Sequence, residues 1–211
     1  MAGAVILAFS HPIQLPARIA LLDPMSGGRL DVGFARAFLP HEFDALGVSM
    51  DDSRPLYEES IEAIRSLLTE GEVSFEGRYH KFEKARSLPR PVQQPHPPFY
   101  VAAFRTADSF EYAGKQGMNL MITPLYLRPT KLGEMVSRYR SFRDGAGHDP
   151  NSASVNINFR TYYAPTDRDA VERAEPYARH YINMLLAPLE RWRDQPSSQY
   201  PEYEKFIAAV E

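Results

Sequence analysis

Short apolar runs alternate along this chain with longer segments in which apolar residues recur every three or four positions, the pattern of parallel βα units. The run Ala4–Phe9 predicts a first strand, and Leu15, Ile19 and Leu22 mark the apolar face of the helix after it. Met25-Ser-Gly-Gly-Arg29 closes that helix with glycine, and Leu30–Ala35 predicts a second strand. After a long excursion, Asp51-Asp-Ser-Arg-Pro55 offers caps and an early proline. Tyr57, Ile61, Ile64 and Leu68 then recur at spacings of 4, 3 and 4, an amphipathic helix. Val73–Phe82 alternates apolar and polar residues around Gly77, which predicts a hairpin outside the main sheet.

Proline lacks a donor and forces extended geometry on its neighbour, so the cluster from Pro89 to Pro98 predicts an extended approach to a third strand, Phe99–Ala103. Thr106 caps a helix running to about Gln116, Gly117 ends it, and Asn119–Thr123 is the fourth strand. Leu132, Met135, Val136 and Tyr139 form the stripe of a helix that stops in Asp144–Gly147. Ser154–Tyr163 reads as a fifth strand. Thr166 and Asp167 cap a helix carrying Val171, Ala174, Ala178, Tyr181 and Leu185 on one face. Pro188–Gln199 reads as loop and Tyr203–Val210 as a last short helix. The pattern predicts an α/β protein of about five parallel βα units, one domain over 1–211.

Composition narrows what such a domain does. A net charge of −3 among 24% charged residues gives no broad basic surface for nucleic acid, so the expected partners are small molecules or other subunits. The apolar run near the start is less than half the length that crosses a bilayer, and no Lys or Arg precedes it, so a cytoplasmic protein without membrane contact is expected. The absence of Cys excludes disulfides, thiolate nucleophiles and zinc-thiolate sites.

In parallel β/α folds reactive groups lie just past the carboxyl ends of the strands, where loops vary freely and helix amino-termini face the ligand. That nominates Ser10-His11, Arg36 with Phe38, Phe104-Arg105-Thr106, Thr123-Pro124-Leu125, and Arg160 to Tyr163. Arginines recur in these positions, which points to an anionic ligand such as a phosphate. The Phe104-Arg105-Thr106 turn joins a strand to a helix, so backbone N–H groups, a hydroxyl and a guanidinium can converge there. The alternative is that Thr106 is only a cap and Arg105 only a solvated charge. Arg36 either meets a ligand or pairs with an acid such as Glu42.

His11, before Pro12, suits a general base or, more often at such turns, a structural hydrogen bond. His41-Glu42 lacks a second His four residues on, so no metal site is expected. His80 and His148 read as surface residues. Neither a Gly-x-Ser-x-Gly elbow nor a Gly-rich phosphate loop occurs. With no complete catalytic set among the side chains, redox chemistry here would need a bound organic cofactor that the protein orients and shields, and a flavin fits.

His11-Pro12, Leu22-Asp23, Met25–Arg29, the strand ending Gly33-Phe-Ala-Arg36, Glu42-Phe43 and Gly47 follow one another in an order that resembles the bacterial luciferase-like monooxygenases. Ser53-Arg54 with Glu58, Glu76–Tyr79, Pro91-Val-Gln93, Pro97-Pro98 and Ala102-Ala103 continue that resemblance to about residue 185. The resemblance implies a (β/α)8 barrel that binds reduced FMN, supplied by a separate flavin reductase. Reaction with O2 then forms a flavin peroxide that oxygenates a small organic substrate. It implies a homo-oligomer, and it makes Arg36, Arg54 and the turn Ala103, Phe104, Arg105, Thr106 the cofactor-binding positions. Charged Arg105 stands where the family usually has a small or hydroxyl residue, with bulky Phe104 beside it. The match runs from the third to the seventh strand, so this chain is expected to form a partial TIM barrel without strands one, two and eight. A shortened flavin-binding protein without turnover and a deazaflavin-dependent oxidoreductase share the same pattern.

Overall fold

A computed structural model describes residues 2–104, 106–124, 128–189, 192 and 197–200. Its main sheet has five parallel strands in the order β1-β2-β5-β6-β7: β1 (Ala2–Ile6), β2 (Val32–Ala35), β5 (Phe99–Ala103), β6 (Asn119–Ile122) and β7 (Val155–Ile157). The hairpin, β3 (Val73–Glu76) with β4 (Lys81–Ala85), forms a separate antiparallel pair, as the alternation around Gly77 predicts. Helices α1 (Gln14–Met25), α3 (Ser53–Thr69), α4 (Ala107–Lys115) and α5 (Pro129–Gly145) supply the crossovers between the parallel strands. This is the α/β architecture of a partial β/α barrel.

One face of the sheet and the inner faces of these helices make a single core. Val32, Phe34, Phe99, Val101, Leu120 and Ile122 pack against Ile19, Ile61, Ile64, Phe110 and Tyr139. The strands are apolar almost throughout because a parallel sheet is covered rather than solvated. Two buried polar side chains fix the connections. Asp23 accepts hydrogen bonds from the Gln93 backbone N–H at 2.8 Å and from its side-chain amide at 2.7 Å, pinning the proline-rich approach to the end of α1. The buried Arg143 guanidinium donates to the Asp149 and Met118 carbonyls and to Ser152, fastening the path from α5 to β7.

Helices α4 and α5 approach unusually closely at Gly114, where an added Cβ would lie 2.6 Å from the Tyr139 carbonyl oxygen and 2.9 Å from Phe142 Cβ. Gly114→Ala gains up to about 1 kcal/mol of helix propensity, but overpacking against backbone costs about 1–3 kcal/mol. The clash should win at so short a contact with backbone, so a net loss of up to about 2 kcal/mol is expected in urea denaturation.

Several segments depart from the sequence pattern. The excursion after β2 contains α2 (Pro40–Leu46), which starts on a proline and ends at Gly47 with φ 65°. The strand expected over Ser154–Tyr163 pairs only across Val155–Ile157, because its neighbour β6 ends at Ile122, the partner of Ile157. Leu22, expected on the buried face of α1 with Leu15 and Ile19, is 44% exposed. The last helix, α6 (Asp167–Leu189), forms as expected, yet Val171 is 64% exposed and the rest of its apolar stripe is at most half-buried. The expected helix at Tyr203–Val210 lies outside the described residues.

Two compact units divide these elements: residues 1–37 with 52–157, and residues 38–51 with 158–211. The first holds the sheet, the hairpin and α1, α3, α4 and α5. The second holds α2 and α6, where Arg179–Glu175 and Arg168–Glu172 pairs line the exposed side of α6. Among the described residues no helix is long and apolar enough to cross a membrane.

Candidate functional site

The carboxyl ends of β2 and β5 and the amino-terminal turn of α3 meet within the first unit. Strand β2 delivers Arg36, half-buried, and the chain then turns at Ala37, whose φ of 69° is left-handed. Left-handed backbone costs an L-residue roughly 1–2 kcal/mol, so strain is concentrated beside this arginine. Helix α3 brings Arg54 and, one turn later, the buried Tyr57, whose hydroxyl donates to the Phe34 carbonyl of β2 at 3.4 Å. That contact ties the start of α3 to the end of β2.

Tyr57 reports on the charges around it. Burial pushes its phenol well above the ordinary value of 10.0, and neighbouring Tyr112 adds to the rise, while the charges of Arg36 and Arg54 both pull it down. The two guanidiniums therefore act on the same phenol. Tyr112, from α4, meets the Tyr57 ring edge-on with centroids 5.8 Å apart. Its own phenol is raised above the usual range, by burial first and by the Glu58 carboxylate second. Both tyrosines stay neutral near neutral pH, so neither serves as a base there.

Arg54 also reaches α4, the helix that follows the turn after β5. Its guanidinium lies 3.5 Å from Asp108 in the first turn of α4 and 3.7 Å from Glu58 on α3. Thr106 is the N-cap of α4 with extended backbone, and its hydroxyl pairs with that of buried Ser109 at 2.9 Å. Ala103 is buried and Phe104 half-buried. Arg105, like Leu125 after β6, lies outside the described residues. The structure thus gathers Arg36, Arg54 and the described part of the turn after β5 into one region. It adds Tyr57, Tyr112, Glu58 and Asp108, of which only Glu58 figures in the sequence resemblance and Tyr57 only as a stripe residue. An anion can be held here by two guanidiniums and by the N–H groups at the start of α4.

The remaining candidates have local roles. His11 Nδ1 accepts the Ile13 N–H at 3.2 Å, a turn-fixing hydrogen bond. His80, expected at the surface, is half-buried: its Nε2 meets the Ser60 hydroxyl at 3.0 Å, and its ring stands edge-on to His11. Burial lowers its pKa, with His11 adding a little and the Glu59 carboxylate opposing. Glu59 accepts N–H bonds from Arg78, Tyr79 and His80, which fastens the hairpin tip to α3. His148 is half-buried over Gly117, where its ring fills the space of a missing Cβ. Arg160, in the second unit, follows β7 in the chain, stacks on Tyr181 with 3.7 Å between guanidinium and ring centroid, and donates to its hydroxyl.

The sequence profile described as luciferase-like monooxygenase matches residues 1–209. The chain belongs to that family. It is 34% identical to the oxygenase component of flavin-dependent trigonelline monooxygenase from Acinetobacter baylyi, an alignment covering 95% of this chain and 58% of that protein. It is 28% identical to the alkanal monooxygenase alpha chain of Photorhabdus luminescens, over 96% of this chain and 56% of the relative. Among solved structures, monooxygenase RslO1 from Streptomyces bottropensis superposes with a TM-score of 0.81 at 36% identity, covering 88% of this chain and 56% of that one. The F420-dependent secondary alcohol dehydrogenase shares the fold, with a TM-score of 0.70 at 21% identity over 82% of this chain and 52% of that one. This luciferase-like chain spans somewhat over half the length of these relatives.

Proposed function

We propose that this chain is the flavin-phosphate-holding part of a luciferase-like monooxygenase, with reduced FMN from a separate reductase as cofactor, O2 as co-substrate and a small organic molecule as the compound oxygenated. The observation that carries the reading is that Tyr57, one turn after Arg54, ties the start of α3 to the end of β2, which leads into Arg36, while Arg54 reaches Asp108 in the first turn of α4 at 3.5 Å. Two cations beside a helix amino-terminus suit a phosphate dianion, and the residues present fit that end of FMN.

When bound, reduced FMN supplies electrons to O2 so that one oxygen atom can pass to the substrate. The protein's own part is binding and orientation. Arg36 and Arg54 neutralise the phosphate, and the N–H groups at the start of α4 complete its hydrogen bonds. The phenol of Tyr57, kept neutral by burial, holds the α3 turn against β2 so that both arginines face one ligand.

Titration with FMN and with riboflavin, which has the same ring system and no phosphate, tests this. FMN should bind at least about tenfold more tightly, the size of one charge-assisted hydrogen bond. Equal affinities would remove the phosphate from the account. FMN binding without O2 uptake in the presence of a reductase would instead favour a flavin carrier without turnover, and binding of a deazaflavin in place of FMN would favour hydride chemistry.

A further inference from the structure

Both ion pairs of Arg54 are loose. Its guanidinium stands 3.5 Å from Asp108 and 3.7 Å from Glu58, whereas charge-assisted N–H···O bonds close to about 2.7–2.9 Å. Arg54 is the well-shielded partner, with 19% of its side chain exposed, while Asp108 is 75% exposed. A mostly buried cation is thus met from the solvent side by an exposed acid on the first turn of α4, the place where the proposed phosphate would sit.

We infer that Asp108 is a resident competitor for the phosphate: its carboxylate engages Arg54 in the ligand-free protein and must be displaced when a phosphate binds, so it sets how weakly FMN is held. This rests on the phosphate reading above. An acid is locally favourable at this position, because negative charge in the first turn complements the helix dipole. It also compensates a guanidinium that is largely shielded from solvent. Against a bound dianion the same carboxylate is repulsive. Asp108 therefore stabilises the ligand-free protein and destabilises the complex, which favours exchange of flavin over retention.

The test compares Asp108→Asn with the unaltered chain by titration with FMN and with riboflavin at low ionic strength, where screening is least. The substitution keeps the volume and a polar group while removing the charge. FMN affinity should rise roughly two- to fivefold, the scale of an exposed ion pair, and riboflavin affinity should not change. The FMN-to-riboflavin ratio is insensitive to any small loss of helix stability. Glu111→Gln, which removes an acid paired with Lys115 elsewhere on α4, should leave the ratio unaltered. If FMN is preferred over riboflavin but Asp108→Asn leaves or lowers that preference, Asp108 is merely a support for Arg54 and the inference fails while the phosphate site stands. If no variant distinguishes the two flavins, both fall.

Discussion

Arg36→Ala should weaken FMN binding by about 1.5–3 kcal/mol, roughly ten- to 150-fold, while leaving riboflavin affinity almost unchanged. The loss is larger than that expected from an exposed arginine, because Arg36 is half-buried and a phosphate docked there would be partly desolvated. Arg36→Lys should recover only part of it, since an ammonium is a point charge and cannot present a fork to phosphate oxygens. Isothermal titration of the three proteins with both flavins measures this. An unchanged FMN affinity in Arg36→Ala would remove this residue from the site.

Phe34→Ala should cost about 3–5 kcal/mol of folding stability, the usual range for emptying a buried aromatic position. Phe34 is fully buried in β2, and its ring meets Phe99 edge-on at 4.9 Å. Since domains of this kind are held by only about 5–15 kcal/mol, that loss is a fifth or more of the total. Leu22→Ala, at a position 44% exposed, is the internal comparison and should cost under about 1 kcal/mol. Urea denaturation of both variants decides it, and equal losses would mean that the core does not lie between β2 and the helices as described.

The parts of the fold legible in the sequence are those with strong local signals. Phe99–Ala103 is a continuous apolar run with prolines before it and a capping threonine after, and it forms a strand over those same residues. Helix α2 escapes the periodicity although its cues are present, Pro40 at the start and Gly47 at the end, because seven residues give too short a period to stand out. The overlong fifth strand has a different cause. Alternation continues past Ile157 in the sequence, but strand pairing needs a neighbour, and β6 has none left to offer beyond Ile122.

The candidate site divides in the same way. Arg36 and the turn after Ala103 are visible as residues at strand ends, and Arg54 through the family resemblance. Nothing local marks Asp108 as a partner of Arg54, because the two meet only when α3 and α4 lie side by side. Tyr57 carries a helical-stripe signal that conceals the bond of its hydroxyl to the Phe34 carbonyl at the end of β2. His80 reads as exposed because a hairpin tip usually is, and the Glu59 clamp and the Ser60 hydroxyl, both on α3, hold it inward.

A crystal structure of the chain with bound FMN tests the central claim most directly. The phosphate is predicted to lie within hydrogen-bonding distance of both the Arg36 and Arg54 guanidiniums, over the first turn of α4, with Asp108 displaced from Arg54. A phosphate bound elsewhere, with the Arg54–Asp108 pair intact, would contradict the account.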